Sequence, residues 1–457
     1  MDPTEILEGV DHSASPTTDG KAAGDGVSSM VLDNDDLLLE IMFRLGLPTS
    51  LVRAILVCRR WFSVASDPFF LRWFRRLHPP RLLGFYVTTR STSTTRPALL
   101  RPRFVPMPPE SDQAPPQELA AAVRMAETYT GLDAYDEDFA VIYDLQNDTM
   151  LVHGFYGKRP APVQVHWPLS PHRGVVALPV IPYDQFDGTV GTAGHFLLKD
   201  HGGGNRLGYV WLSVGLPVKG KGAGEYSVKY KAHVYVLRED GQWHFRASAA
   251  AVLPSLMSNS NPVLVGTKIY LENSTSIAAL DLKTSVFSTI PLPDGMEKYD
   301  YREMMLTPAC DIGVFLHLDE NLQLYIWLHV DDWLRMGCGG APSWLLFDVV
   351  SLPQMFETLG MTGWTDDGEP ATLFQTTQTG DFLEFVFLKL GQCAFCFDTR
   401  CRVLLKLYEV TQEDQTLEQI HPLMMTWPPK FPALKGDHLA RFAFRLCSLM
   451  ILPKFDM

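Results

Sequence analysis

No stretch of this 457-residue chain approaches the 18 unbroken apolar residues of a membrane-crossing helix. The first ten residues carry Asp2, Glu5 and Glu8 in place of an apolar leader, so neither a transmembrane span nor a signal segment is read. Residues 1–29 contain no aromatic and no cysteine. They are rich in Asp, Ser, Thr and Gly, and residues 1–30 are expected to be a disordered tail. Cysteine is scarce, seven scattered residues of odd number, which excludes a disulfide framework and points to reduced thiols in the cytoplasm or nucleus. On that reading the sequons Asn147-Asp148-Thr149 and Asn273-Ser274-Thr275 stay unglycosylated. Positive charge is also short: 39 Lys and Arg against 52 Asp and Glu leave −13. Such a field repels polyanions and argues against nucleic acid or an anionic membrane as partner of the whole chain. There is no G-x-S-x-G elbow and no H-E-x-x-H, and no cofactor is expected.

What is present is ample apolar surface, 46% hydrophobic and 11% aromatic residues, enough for two or three folded domains. Charge is distributed unevenly. Between 44 and 81 eight arginines face one acid, Asp67, a net +7, which leaves −20 on the remainder. An acidic partner for that segment is expected.

The same segment has a helical period. Asp33 or Asn34 can cap a helix with the stripe Leu37, Leu38, Ile41 and Leu45, ended by Gly46 and Pro48. Thr49 opens a second helix with the stripe Leu51, Ala54, Ile55, Cys58 and Trp61. Asp67-Pro68 stops it and supplies the N-cap and N1 of a third, with Phe70, Trp73, Phe74 and Leu77 at i, i+3, i+4 and i+7. A unit this small cannot bury all of Leu38, Leu39, Met42, Phe43, Leu56 and Val57, so part of this surface faces either a partner or the rest of the chain. A basic RNA-binding module is a weaker alternative, because Trp61, Trp73 and Phe74 fall on internal stripes.

Residues 88–116, with seven prolines, read as a linker or insertion, and Gln117–Tyr129 as a helix. Thereafter short runs of β-branched and aromatic residues alternate with turn signals, for example 139–144, 149–155, 207–214, 230–237, 263–271, 276–282, 322–330, 344–350, 382–389 and 402–408. Acids at 144, 239, 281, 348 and 398 stand where apolar runs give way to polar turns. Two of their gaps, 42 and 50, match a propeller blade, whereas 67 requires an insertion.

Chemical motifs are weak. Gly215 to Gly222 nearly spells a phosphate loop, but Gly222 replaces the magnesium-binding hydroxyl and a strand follows, so a surface loop is expected. Cys393, Cys396 and Cys401 read as buried thiols: residues three apart on a strand face opposite ways and cannot chelate together. Asp331-Asp332 and Asp366 to Glu369 read as solvated turns, and His195 and His201 as ordinary residues with no third ligand. The loops 183–206 and 215–226 carry no decodable motif.

The order Leu32 to Ile41, then Leu51-Val52-Arg53, then Leu56-Val57-Cys58-Arg59-Arg60-Trp61, then Ser66-Asp67-Pro68-Phe69-Phe70 resembles an F-box over 33–78. Where the family begins with Leu-Pro, this chain has Asp33-Asn34. Leu82 to Tyr86, the Pro-rich stretch and Leu280-Asp281-Leu282 are similar to the large plant F-box families with a β-rich, propeller-like C-terminal domain, here 82–457. The resemblance implies an α+β multidomain chain, a three-helix F-box followed by a mainly β domain with the form of a β-propeller. It further implies a non-enzymatic substrate receptor. The F-box would dock on a Skp-type adaptor, and through it a cullin, while the second domain captures a protein substrate for ubiquitination. Carried over by motif, the adaptor face would use Leu37, Leu38, Ile41, Leu45, Leu51, Val57, Cys58 and Trp61. A propeller enzyme with a funnel site is the remaining alternative, since the fold does not settle function.

Overall fold

A computed structural model describes residues 34–46, 48–78, 81–91, 102–108, 116–135, 140–146, 148–156, 159–160, 162–178, 191–198, 208–219, 226–237, 242–254, 263–265, 267–272, 276–293, 296, 304–309, 312–330, 343–361, 371–374, 383–410 and 415–425. The expected tail 1–30 and the segment 430–457 lie outside them. The chain divides into two compact units, with the boundary between Leu71 and Arg72.

The N-terminal part is helical. Asn34 caps α1 (Asp35–Phe43): its side-chain oxygen accepts from the backbone N–H of Asp36 at 2.9 Å and of Leu37 at 3.4 Å. Asp35 and Asp36 add negative charge at the positive end of the helix dipole. The departure from Leu-Pro at Asn34 is therefore a capping residue. A second helix, α2 (Pro48–Ile55), starts on Pro48, one residue before the expected Thr49, because proline's fixed φ suits a first helical position. The three helices expected are four. The second breaks after Ile55, and Cys58 sits in extended backbone at φ −162° ahead of α3 (Arg59–Ala65). Asp67 and Pro68 then act as read: the Asp67 carboxylate accepts from Phe70 N–H at 3.1 Å and opens α4 (Pro68–Leu77). Phe43 stacks on Phe70 with ring centroids 4.7 Å apart.

The larger unit is a propeller of six sheets among the described residues. It begins with the antiparallel pair β1 (Leu82–Ser91) and β2 (Arg103–Pro106), followed by α5 (Gln117–Glu127). Thr88 to Ser91 and Arg103 to Pro106 thus give strand to the stretch read as a linker, because its apolar Phe104 and Val105 pair onto β1. The next sheet runs β3 (Ala140–Gln146), β4 (Thr149–Tyr156) with β5 (Arg159–Pro160) beside it, β6 (Gln164–His166) and β7 (Val176–Ala177). Three four-stranded meanders follow. The first is β8 (Gly191–Leu198), β9 (Gly208–Lys219), β10 (Tyr226–Leu237) and β11 (Trp243–Pro254). The second is β12 (Val263–Val265), β13 (Lys268–Glu272), β14 (Ser276–Asp281) and β15 (Val286–Pro291). The third is β16 (Met304–Ala309), β17 (Ile312–Leu318), β18 (Gln323–Val330) and β19 (Ser343–Ser351), which leads into α6 (Pro353–Thr358). A further meander, β20 (Thr372–Leu373), β21 (Phe385–Leu390), β22 (Cys393–Asp398) and β23 (Val403–Glu409), precedes β24 (Gln415–Met424).

β24 does not start a sheet of its own. It pairs antiparallel with β1 from Leu82↔Met424 to Ser91↔Gln415, so the end of the domain completes the sheet that its beginning opened. Strands β24, β3 and β8 touch in turn, as do β12 and β16. The last strand of each meander carries exposed apolar residues, Phe245, Val286, Phe347 and Val403. First strands therefore line the inside and last strands the rim. Between blades the interior is apolar: Leu316, Leu324, Val386 and Phe395 form one cluster, with Phe356 of α6 edge-on to Phe395 at 5.1 Å. Each such buried side chain contributes roughly 1.5–3 kcal/mol.

Candidate functional site

The helical part exposes apolar side chains that its interior does not use. α1 is apolar almost all round, so two phases of a 3.6-residue stripe compete. The buried phase is Leu38, Leu39 and Met42, which leaves Leu37 at 43% and Ile41 at 37% exposure. The break between α2 and α3 turns two more side chains outward, Leu56 at 78% and Val57 at 64% exposure. Cys58, next to them, is an exposed free thiol.

The eight residues expected on an adaptor face separate accordingly. Leu37, Ile41, Val57 and Cys58 are exposed, while Leu45 and Trp61 are half-buried. Leu38 and Leu51 are fully buried and belong to the interior, because α1 and α2 turn those positions inward. Leu56, the most exposed of the set, was not assigned to the face. Its signal was present as apolar surplus, but a break without glycine or proline could not be read. The charge also looks different once the neighbouring acids are included. Over 35–77 seven arginines face Asp35, Asp36, Glu40 and Asp67, a net +3. Arg60 pairs with Asp35 at 2.5 Å and Arg44 with Glu40 at 2.8 Å.

In the propeller, acids mark turns. Asp281 closes β14 and accepts from Lys283 N–H at 2.7 Å and Thr284 N–H at 3.3 Å. Asp398 closes β22 and accepts from Arg400 N–H at 2.8 Å and Cys401 N–H at 2.9 Å. Each turn ends four residues on in a left-handed residue, Ser285 at φ 58° and Arg402 at φ 53°. These two are equivalent parts of two blades. Asp348 is not a third: it lies inside β19 and pairs with Arg402 at 2.7 Å, so the gap of 67 and the gap of 50 that matched a blade both join unlike positions. Asp144 differs again. It accepts from Leu197 N–H of the next sheet and from the Gln146 side chain, both at 2.9 Å, and so ties β3 to β8. Glu239, the remaining acid of the series, lies outside the described residues.

The weaker motifs resolve as follows. Gly215 to Lys219 belong to β9, which pairs with β10, so this part of the near phosphate loop is strand, while Gly220 to Gly222 lie outside the described residues. Likewise 191–198, read within a loop, is β8. Cys393 and Cys396 are buried in different clusters, as their spacing on a strand requires, whereas Cys401 is exposed on the Asp398 turn. Burial pushes the Cys396 thiol well above its ordinary range. Among the described residues no group of three or more His, Cys, Asp or Glu could hold a metal. No helix among them is long and apolar enough to cross a membrane. Asp331-Asp332, Asp366 to Glu369 and His201 lie outside the described residues. His195 lies on β8.

A buried polar relay joins α5 and its following turn to β6. The Tyr129 hydroxyl is 2.7 Å from His166 Nδ1, and His166 Nε2 is 2.7 Å from the Tyr135 hydroxyl, which donates to Gln164 at 2.9 Å. Since Tyr135 gives its hydrogen to Gln164, the network assigns the His166 proton to Nε2 and leaves Nδ1 to accept from Tyr129. Burial brings His166 down to about 4, so the ring is neutral. Gly154 makes room for this: a β-carbon there would collide with the Tyr135 ring.

Residues 141–431 match the family model described as F-box protein AT5G49610-like, beta-propeller, and residues 35–77 match the model described as F-box-like. The chain belongs to this family of F-box proteins with a C-terminal β-propeller. It therefore has the composition of an F-box substrate-recognition protein, a family typically of adaptors rather than enzymes, whose F-box generally binds Skp1-type adaptors. No curated protein sequence matches it. Among solved structures, a mutant of AofleA from Arthrobotrys oligospora is similar at 11% identity and TM-score 0.23, over 64% of this chain and 96% of that one. The tricorn protease is similar at 14% identity and TM-score 0.13, over 60% of this chain and 27% of that one. Likenesses this distant add nothing to the fold argued above.

Proposed function

We propose that this chain is the substrate-recognition subunit of a Skp/cullin/F-box ubiquitin ligase. The helices at 35–77 dock on a Skp-type adaptor and the propeller presents a protein substrate for ubiquitination. The supporting observation is the exposed apolar set Leu37, Ile41, Leu56 and Val57, which has no role in the interior of the helical part. The contact face is accordingly Leu37, Ile41, Leu56, Val57 and Cys58, with Leu45 and Trp61 at its margin, while Leu38 and Leu51 hold the helices beneath it. A cytoplasmic or nuclear site of action fits exposed free thiols at Cys58 and Cys401.

The test is co-purification of the full chain with a Skp-type adaptor. Ile41→Asp combined with Val57→Asp should remove the complex while the propeller keeps its melting temperature, because both side chains are already exposed. Undiminished adaptor binding by that double variant defeats the proposal.

A further inference from the structure

The outermost strand of a blade offers backbone N–H and C=O groups that a foreign strand can pair with, and natural edges are blunted by charge, proline or brevity. Five of the outermost strands follow that rule. β2 carries Arg103 and Pro106, β11 Arg246 and Pro254, and β23 Lys406 and Glu409, while β15 ends on Pro291 and β7 is two residues long. β19 has none of these devices. Its nine residues hold a single charge, Asp348, and its outer side pairs with no strand among the described residues.

This edge is apolar as well. Phe347 is 65% and Leu345 56% exposed, and Leu346 and Val349 are exposed beside them. Isolated apolar side chains are ordinary on a surface, but a run of this kind on one strand marks a contact. In the register with β18, Asp348 stands opposite Ile326 and Leu346 opposite Trp327, so a bulge leaves Phe347 without a cross-strand partner and re-aims it.

The neighbouring turn adds positive charge. Arg402, in the turn after β22, reaches Asp348 at 2.7 Å, so that turn stands beside the middle of β19. The other arginine of the turn, Arg400, is exposed, and its side chain has no partner among the described residues. Both nearby acids are engaged: Asp348 holds Arg402 and accepts from the Val349 N–H at 2.9 Å, and Asp398 holds the backbone of the turn. A second copy of the chain would bring the same engaged acids to this edge and leave Arg400 unmatched. The complement is therefore a different chain with a free carboxylate. Since the Val349 N–H is taken, backbone pairing is open along Trp344 to Phe347.

We propose that β19 captures an extended segment of the substrate protein as an added strand. The segment pairs with the backbone at Trp344 to Phe347, lays alternate apolar side chains on Leu345 and Phe347, and sets a carboxylate against Arg400. That the captured protein is a substrate rests on the function proposed above, whereas strand capture and adaptor docking use different residues and fail separately.

The experiment is fluorescence anisotropy of labelled dodecapeptides, in which Val and Thr alternate around a central Phe with Asp, Asn or Lys at the flanks, titrated with the full chain. The Asp-flanked peptide should bind saturably and most tightly. N-methylation of every second amide, tried on each edge of that peptide in turn, should weaken binding about tenfold for one edge only, the loss of a main-chain hydrogen bond. This arm needs no variant of the protein. Leu345→Lys with Phe347→Lys should abolish binding at unchanged melting temperature, because both side chains are exposed. Arg400→Glu should weaken the Asp-flanked peptide about fivefold and strengthen the Lys-flanked one. Adaptor co-purification should be the same for all these variants. Binding of no peptide, no preference among the flanks, or equal binding by the double variant or by both N-methylated peptides overturns the proposal. So does a dimer of the free chain in sedimentation that the double variant loses, which would give the edge to a second copy.

Discussion

Arg60 and Asp35 meet at 2.5 Å, with the arginine Nε also donating to the same carboxylate oxygen at 2.9 Å. The pair fastens the first turn of α3 to the first turn of α1, which sets the outward-facing Leu56 to Cys58 beside the start of α1. Both side chains are about one-third exposed, 33% and 29%. Water therefore screens the attraction, and a double-mutant cycle with Arg60→Ala and Asp35→Ala should give a coupling of about 0.5 kcal/mol in denaturation. The larger effect is expected in adaptor affinity, because the pair orients the face more than it stabilises the fold. Adaptor affinity equal to wild type in both single variants would show that it orients nothing.

Cys58 offers a direct footprint. Maleimide labelling followed by peptide mass mapping should modify Cys58 and Cys401 in the free chain and spare Cys396, whose buried thiol resists ionisation. With a Skp-type adaptor bound, Cys58 should become protected and Cys401 should not. Equal labelling of Cys58 in both states would place the adaptor elsewhere.

Much of this architecture was legible because most strands announce themselves locally. The runs read at 139–144, 276–282 and 402–408 are β3, β14 and β23 within a residue or two. The run 263–271 was two strands, since a tight hairpin between β12 and β13 leaves too little polar sequence to mark it. Phase was the harder problem in the helices. In α1 the choice between Leu37/Ile41 and Leu38/Leu39/Met42 as the inner stripe depends on what α1 meets, which the local sequence does not encode. The same holds for Asp348: its strand continues past it because Arg402, 54 residues later, supplies a partner. The pairing of Tyr86 with His421 was invisible for a like reason, because the two become neighbours only when the ends of the domain meet.

The paired turns should show equal energetics. Asp281→Ala and Asp398→Ala each remove a carboxylate holding two backbone N–H groups and should each cost about 1 kcal/mol in urea denaturation. Ser285→Gly should stabilise by about 0.5–1 kcal/mol, because φ 58° is strained for serine and free for glycine. Arg402→Gly, at φ 53°, should gain less, since it also loses the bond to Asp348.

Stability should fall in mild acid, because burial holds two histidines, His166 and His421, down to about 4 and only one of the cited groups, Glu272, opposes them. His166 has a folded-state pKa of about 4 against 6.5 when unfolded, so the unfolded chain binds the extra proton first. Its contribution is complete above 6.5 and is lost as pH drops towards 4, amounting to about 2 kcal/mol between pH 7 and 5. Glu272 opposes this. Burial, offset in part by its bond to Leu306 N–H, raises it to about 7 from 4.5, so its contribution is present below 4.5 and lost as pH rises to 7. Denaturation midpoints of His166→Gln across pH 5–7 should therefore show a shallower acid loss than wild type, and those of Glu272→Gln a steeper one. Parallel profiles for all three proteins would contradict both assignments.

The sheet shared by β1 and β24 also sets an order of events during synthesis. While the ribosome is still translating, β1 and β2 have no third strand, and the nascent ring stays open however well its middle blades have formed. Closure waits until residue 424 clears the exit tunnel, so the newborn chain carries a raw edge for the longest time at its own beginning, where chaperones would find it.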